Sequence, residues 1–232
     1  DNWGYVSFKN TEDLAARYLG LIDRLKVLAG LGLSAGVYTQ TTDVEVEVNG
    51  FMTYDREVLK FPAEAVAAAH AGLYSPESLK STVLVPTAQG GPQEWKYTTE
   101  PPAEGWNQPE FDDSAWPSGP SGFGKKETPG ALVNTEWTTS DIHLRKAFDL
   151  AEAPTGQVWL SIHHDDEAEV FINGRSVAKL PKWTSAYEFF PLPPEAVQAL
   201  KAGKNVIAVS CHQDRGGQYI DVGAIAVEKA QP

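Results

Sequence analysis

The run Val158-Trp159-Leu160-Ser161-Ile162-His163-His164-Asp165-Asp166-Glu167-Ala168-Glu169-Val170-Phe171-Ile172-Asn173-Gly174-Arg175 decides the fold. Two alternating apolar segments, 158–162 and 168–172, flank a dense polar cluster. Alternation places every second side chain on one face, the pattern of a half-buried strand. Asn173-Gly174 closes the second segment, and both residues tolerate φ > 0, so the pair signals a tight hairpin. Residues 82–227 repeat this texture and are expected to pack around the 158–172 pair.

The bulk properties narrow the function classes. A chain of 232 residues with 42% hydrophobic content and seven tryptophans can bury a sizeable core in one large domain or two ordinary ones. The formal net charge of −12 argues against a nucleic-acid partner, whose phosphates need Lys and Arg. No apolar run approaches the ~20 residues that span a bilayer. One cysteine, Cys211, leaves no internal disulfide. The sequence starts at Asp1 without methionine, which suggests a piece of something longer.

The first third reads as α/β. Asn10 or Thr11 caps a helix whose first turn holds Glu12 and Asp13, where negative charge suits the dipole. Leu14, Tyr18, Leu21, Ile22, Leu25 and Leu28 recur at helical spacing, and Gly30 is the expected stop. Residues 34–40 read as a buried strand. One helix and one strand cannot cover each other's apolar faces, so the segment looks like the last turn of a larger α/β domain. Residues 62–71, alanine-rich behind Pro62, predict a short linking helix, and 74–78 read as linker.

Beyond residue 82 the pattern is β. Trp95 and Tyr97 alternate with polar neighbours, and Ile142, Leu144 and Phe148 share a parity, as do Ile207 and Val209. Short strands between Gly/Pro-rich turns predict a sandwich or barrel. The insert 101–136 has little periodicity; Trp106, Phe111, Trp116 and Phe123 are expected to anchor it as an ordered loop. A short helix is expected over 194–202.

Two resemblances sharpen this reading. Asp1-Asn2-Trp3-Gly4-Tyr5, the helix 11–28, and the run Tyr38-Thr39-Gln40, Thr42-Asp43-Val44-Glu45, Asn49-Gly50, Thr53-Tyr54-Asp55-Arg56 resemble the end of the catalytic barrel of glycoside hydrolase family 2. That family holds β-galactosidases, β-glucuronidases and β-mannosidases; Val46 departs from its usual pattern. Phe111-Asp112-Asp113-Ser114-Ala115-Trp116, Gly122-Phe123-Gly124, residues 135–142, His164-Asp165-Asp166 through Asn173-Gly174, and residues 217–223 resemble a galactose-binding-like sandwich. The implied fold is mainly β: a jelly-roll sandwich over 82–232, a helical linker at 62–81, and a truncated (β/α)8-barrel fragment at 1–61.

The barrel resemblance implies site residues. Barrel active sites lie at the C-terminal ends of the strands. Tyr38, Gln40 and Asp43 would then border the sugar site, with Asn2 and Trp3 in the preceding loop. Retaining glycosidases need two carboxyl groups about 5–5.5 Å apart. In the family these are glutamates upstream of the matched segment, so no catalytic residue is expected in this chain. Asp43, Glu45 and Glu47 alternate with valines, which reads as an extended segment with a solvated acidic side.

The remaining polar clusters admit two readings each. His163-His164-Asp165-Asp166 can be a structural turn or a cation site. Neighbouring strand residues point apart, which disfavours zinc, and the oxygen atoms of Asp165 and Asp166 would suit a structural Ca²⁺. Beyond that ion no cofactor is expected. Cys211-His212 reads as a buried thiol beside an outward histidine, not as a catalytic pair. Trp137, Trp183, Arg215, Gln218 and Tyr219 have the chemistry of a sugar site, and equally that of a core or domain interface. The expected partners are a β-glycoside or polysaccharide and the missing N-terminal part of the same polypeptide. The competing expectations are a stand-alone carbohydrate-binding module and a metal-dependent hydrolase centred on 163–166.

Overall fold

A computed structural model describes residues 6–74 and 79–229. Backbone contacts divide them into two compact units, with the boundary in sequence between Ser81 and Thr82 and Lys229 grouped with the first.

The first unit is built on α1 (Thr11–Gly30). Asn10 caps it, its Oδ1 accepting the Asp13 amide at 2.7 Å, with Glu12 and Asp13 in the first turn. The helix ends at Gly30 as expected, and Gly32, two residues on, closes it. The Gly32 amide bonds the Ala29 carbonyl at 3.0 Å, the Leu33 amide bonds the Leu28 carbonyl at 2.9 Å, and Gly32 holds φ +107°. That is the paired capping pattern that favours glycine just past a helix. The second helix, α2 (Ala63–Ala71), has Pro62 as its cap and packs into this unit. Tyr18 is the centre: its ring lies 5.0–5.2 Å from Tyr38, Phe51 and Phe61, and its hydroxyl meets His70 Nε2 at 2.7 Å.

Two expectations fail in this unit. Residues 34–40 are not a strand, and Val37 is 93% exposed. A β-prone composition makes a strand only where a neighbour pairs with it, and no ladder or bridge forms there among the described residues. Residues 43–48 are not extended either. Val44 and Glu47 exchange backbone hydrogen bonds at 3.1 and 2.9 Å across a tight turn with Glu45 at φ +53°, leaving Val46 and Val48 in solvent.

The second unit is a β-sandwich. Its strands are β1 (Leu79–Val85, which starts just before the boundary), β2 (Glu94–Thr98), β3 (Ser118–Pro120), β4 (Phe123–Gly124), β5 (Thr135–Glu136) and β6 (Asp141–Leu150). They continue as β7 (Gln157–Asp165), β8 (Glu167–Ile172), β9 (Arg175–Leu180), β10 (Glu188–Pro191), β11 (Gly203–His212) and β12 (Tyr219–Lys229). Among the described residues they form two sheets of six. One runs β10-β7-β12-β4-β5, with β1 also on β12; the other runs β3-β2-β6-β11-β8-β9. A short α3 (Pro194–Val197) precedes β11.

The expected parities hold. Val158, Leu160 and Ile162 of β7, with Ile220, Val222 and Ala224 of β12, face Ile142, Val170, Ile172, Ile207 and Val209 of the opposite sheet in one core. Asn173 and Gly174, at φ +50° and +82°, make the two-residue turn between β8 and β9. The two opening segments, however, are not paired with each other. β7 and β8 lie in different sheets, and the chain crosses between them at Asp166.

Both sheets also carry a covering on their outer faces. Trp106 packs on His143 and Phe171, with ring centroids 5.0 and 5.7 Å away, so residues 101–117 of the expected 101–136 loop lie against the β6–β8 sheet, whereas 118–136 supply β3, β4 and β5, with Phe123 in the core. On the other sheet Trp159 and Ser161 are buried, and His163, Tyr219 and Asp221 lie under segments 87–91, 128–132 and 183–187. β7 is therefore buried on both faces, which alternation alone does not predict.

Candidate functional site

Tyr38, Gln40 and Asp43 converge in the first unit, although no strand carries them. A loop closed on itself holds them in place. The Tyr38 hydroxyl donates to the Asn49 carbonyl at 2.8 Å, and Gln40 Nε2 donates to Asn49 Oδ1 at 2.9 Å and Glu47 Oε2 at 3.3 Å. Asp43 is buried; its Oδ1 accepts the Gly50 amide at 2.9 Å and Lys60 Nζ at 2.5 Å, and Lys60 also reaches the Val48 carbonyl at 2.9 Å. This partly buried ion pair ties the two arms of the loop together.

The loop borders a cleft of about 860 Å³, whose walls include Phe8, Arg17, Tyr18, Tyr38, Glu47 and Lys60. Aromatic faces beside charged hydrogen-bonding groups are what a polyhydroxylated ligand requires. Burial, and then the nearby Asp43 charge, raises the Tyr38 pKa, so its hydroxyl stays protonated and donates at neutral pH. Tyr38 lines the cleft directly, Gln40 acts on its wall through Asn49 and Glu47, and Asp43 sits behind it. Arg17 and Lys60 went unnoticed in the sequence, since an isolated basic residue carries no spacing signal. Asn2 and Trp3 lie outside the described residues.

The sandwich candidates separate. Trp137 is 2% exposed, its Nε1 donating to Thr139 Oγ1 at 2.9 Å and the Asp141 carbonyl at 3.2 Å. Gln218 is buried, with Nε2 on the Thr139 carbonyl at 2.6 Å, and Tyr219 is buried on β12. These three are structural; a sugar cannot reach them. Trp183 and Arg215 are exposed.

The histidine–aspartate cluster is strand and crossover, not a simple turn. Asp166 Oδ2 accepts the amides of Asp214 and Arg215 at 2.8 and 3.3 Å, tying the β7–β8 crossover to the β11–β12 loop. His164 Nδ1 meets the Asp166 carbonyl at 2.6 Å, while His163 packs 4.7 Å from the Tyr219 ring. Among the described residues no group of three or more His, Cys, Asp or Glu side chains is placed to hold a metal. Cys211 is buried with its thiol pKa raised by burial, and His212 turns outward to Asp141 at 2.8 Å.

A second polar cluster lies under the loops of the β7–β12 sheet. Asp221 Oδ2 accepts the Tyr187 hydroxyl at 2.5 Å and the Ala88 amide at 2.7 Å, and the Tyr187 and Tyr219 hydroxyls meet at 2.9 Å. Burial pushes the Asp221 pKa from 3.8 up to about 6. A carboxyl whose pKa is raised on folding favours the folded state most below its unfolded pKa, and that advantage is lost as pH climbs through the folded value. Relative to Asp221→Asn, the natural chain should therefore lose about 2 kcal/mol of stability between pH 4 and pH 7.5. Urea unfolding of both proteins across that range checks this; a difference independent of pH would contradict it.

No protein-family model matches the chain. A curated α-L-rhamnosidase of Streptomyces avermitilis is 29% identical over 128 residues, 52% of this chain and 12% of that enzyme. Among solved structures, a glycosyl hydrolase family 2 member from Bacteroides cellulosilyticus overlaps 59% of this chain and 20% of its own at TM-score 0.44 and 18% identity. A β-glycosidase from Bacteroides vulgatus overlaps 65% and 20% at TM-score 0.43 and 18% identity. The chain thus spans a fifth or less of the length of these proteins. At such scores the structural likeness decides nothing, and the sandwich stands on its own strand pairing.

Proposed function

We propose that this chain is the C-terminal part of a glycoside hydrolase resembling family 2. Residues 1–61 would complete a catalytic barrel, residues 62–81 would lead out of it, and residues 82–232 would form a non-catalytic sandwich. The reaction is retaining hydrolysis of a terminal β-glycoside by two glutamates outside these 232 residues. Within the chain, Tyr38 and the Gln40–Asn49–Glu47 network would present hydrogen-bonding groups to the sugar hydroxyls, and the Asp43–Lys60 pair would hold that network in register.

The observation that carries this reading is the self-bonded 38–60 loop at the mouth of the cleft. It consists of the residues that resemble the barrel end, and they contact one another. The curated relative, itself a glycosidase by name, supports the reaction class. Its α-L-rhamnoside substrate is the second reading. A panel of nitrophenyl glycosides separates the two when tested on the intact polypeptide: β-glycosides should be turned over, and Gln40→Ala should lower kcat/KM by about 10-fold or more, as expected for a lost orienting contact. Turnover confined to the α-L-rhamnoside would favour the second reading.

A further inference from the structure

We propose that Asp221 is a pH-operated latch: protonated, it ties segments 87–91, 128–132 and 183–187 down on the outer face of the β7–β12 sheet, and on ionising it lets them open. The inference rests on the second unit alone and is independent of the glycosidase reading.

All three segments meet at one cluster. Segment 87–91 reaches it through the Ala88 amide, 2.7 Å from Asp221 Oδ2, and segment 183–187 through the Tyr187 hydroxyl, 2.5 Å from the same oxygen. The Tyr187 hydroxyl meets that of Tyr219 at 2.9 Å, and the Tyr219 hydroxyl lies 3.3 Å from the Leu132 carbonyl of segment 128–132. A Cβ at Gly130 would fall 2.7 Å from the Ser185 carbonyl, so two of the segments also touch each other.

Counting hydrogens shows why protonation matters. The row Asp221–Tyr187–Tyr219–Leu132 has three oxygen–oxygen contacts, and its two tyrosines supply only two protons. A protonated Asp221 supplies the third: it donates to Tyr187, Tyr187 to Tyr219, and Tyr219 to Leu132. With Asp221 ionised, Tyr187 donates to the carboxylate instead, and one remaining contact has no hydrogen.

Nothing nearby compensates the charge. No residue of the three segments is charged, and Glu127, Lys182 and Glu188 at their ends are not paired with Asp221. His163 is directly opposed to Asp221 across β7 and β12, but burial lowers its pKa and keeps the ring neutral. Its nitrogens are buried against the backbone of Gly130 and Thr184 without a well-formed hydrogen bond, so opening would also hydrate them. The other faces of β7 and β12 belong to the sandwich core, which holds when the cover lifts.

The direction follows from linkage. Burial holds the closed Asp221 at about 6, and opening hydrates it back toward 3.8 with release of a proton, so rising pH favours the open form. The test is amide hydrogen exchange of the 232-residue chain, corrected for intrinsic rates. Protection of the Ala88 amide, and of the Thr184 amide bonded to the His164 carbonyl, should fall about 10-fold between pH 5 and pH 7.5 and level off above pH 7. The Ile207 and Val209 amides of β11 should keep theirs. Asp221→Asn should flatten the profile at Ala88. Tyr187→Phe, which breaks the row of hydroxyls, should lower protection of Ala88 at pH 5. Asp165 on β7 also has its pKa raised to about 6, and Asp165→Asn should leave the fall at Ala88 in place. Protection of Ala88 independent of pH in the natural chain, or a fall that survives Asp221→Asn or vanishes in Asp165→Asn, would overturn the proposal; so would unchanged protection in Tyr187→Phe.

Discussion

Replacing Arg145 with methionine is expected to cost the sandwich about 3–5 kcal/mol, the range for removing one partner of a buried ion pair. Arg145 is 2% exposed on the outer face of β6. Its Nε donates to Asp113 Oδ2 at 2.8 Å, Nη1 to the carbonyls of Trp106 and Gln108, and Nη2 to the Phe111 carbonyl at 3.4 Å. Its guanidinium also lies 5.2 Å from the Phe111 ring centroid. One side chain therefore satisfies four acceptors of the 101–117 insert, and its loss leaves all of them facing an apolar group. Lysine should recover only a minor part, because an ammonium cannot reproduce the planar fork. Urea unfolding measures the loss; a change below about 1 kcal/mol would mean that the insert is held by its tryptophans instead.

The second large effect belongs to the hairpin turn. Asn173 Nδ2 donates to the Ala199 carbonyl at 2.7 Å and to Asn205 Oδ1 at 2.9 Å, while its Oδ1 accepts the Val206 amide at 2.8 Å. It does this at φ +50°, a left-handed conformation that asparagine tolerates better than alanine because its short polar side chain bonds locally. Orphaning the groups it bonds costs about 1–3 kcal/mol, and Asn173→Ala should lose that much or slightly more. Asn173→Gly relieves the backbone but not the orphaned groups and should lose less. Equal losses in the two variants would show that backbone conformation contributes nothing.

These two residues show what the sequence discloses and what it hides. Asn173 was legible because its role is local: the Asn-Gly pair needs only the alternation on either side to be read as a turn. The inward parities of β7, β8, β11 and β12 were legible for the same reason. Arg145 was not, because its partners lie more than thirty residues away and a strand arginine ordinarily faces water. The second buried face of β7 was hidden likewise, since the loops that cover it have no periodicity. In the first unit the composition of residues 34–40 predicted a strand, and the missing pairing partner left it as coil. The residues expected to border the sugar site nevertheless stay together, because Asn49, Gly50 and Lys60 hold them through hydrogen bonds that alternation does not encode. Of the five sandwich candidates, burial retained Trp183 and Arg215, a distinction that depends on tertiary structure and not on residue type.

The central claim is that this chain contributes walls and support to a glycoside hydrolase whose acid and nucleophile lie elsewhere. The most direct measurement compares the intact polypeptide with residues 1–232 alone on a nitrophenyl β-glycoside panel, following the anomer of the first-formed product by NMR. The account predicts hydrolysis with retention by the intact polypeptide and no turnover by residues 1–232. Turnover by residues 1–232 alone, or an intact polypeptide that leaves every β-glycoside untouched, would contradict it.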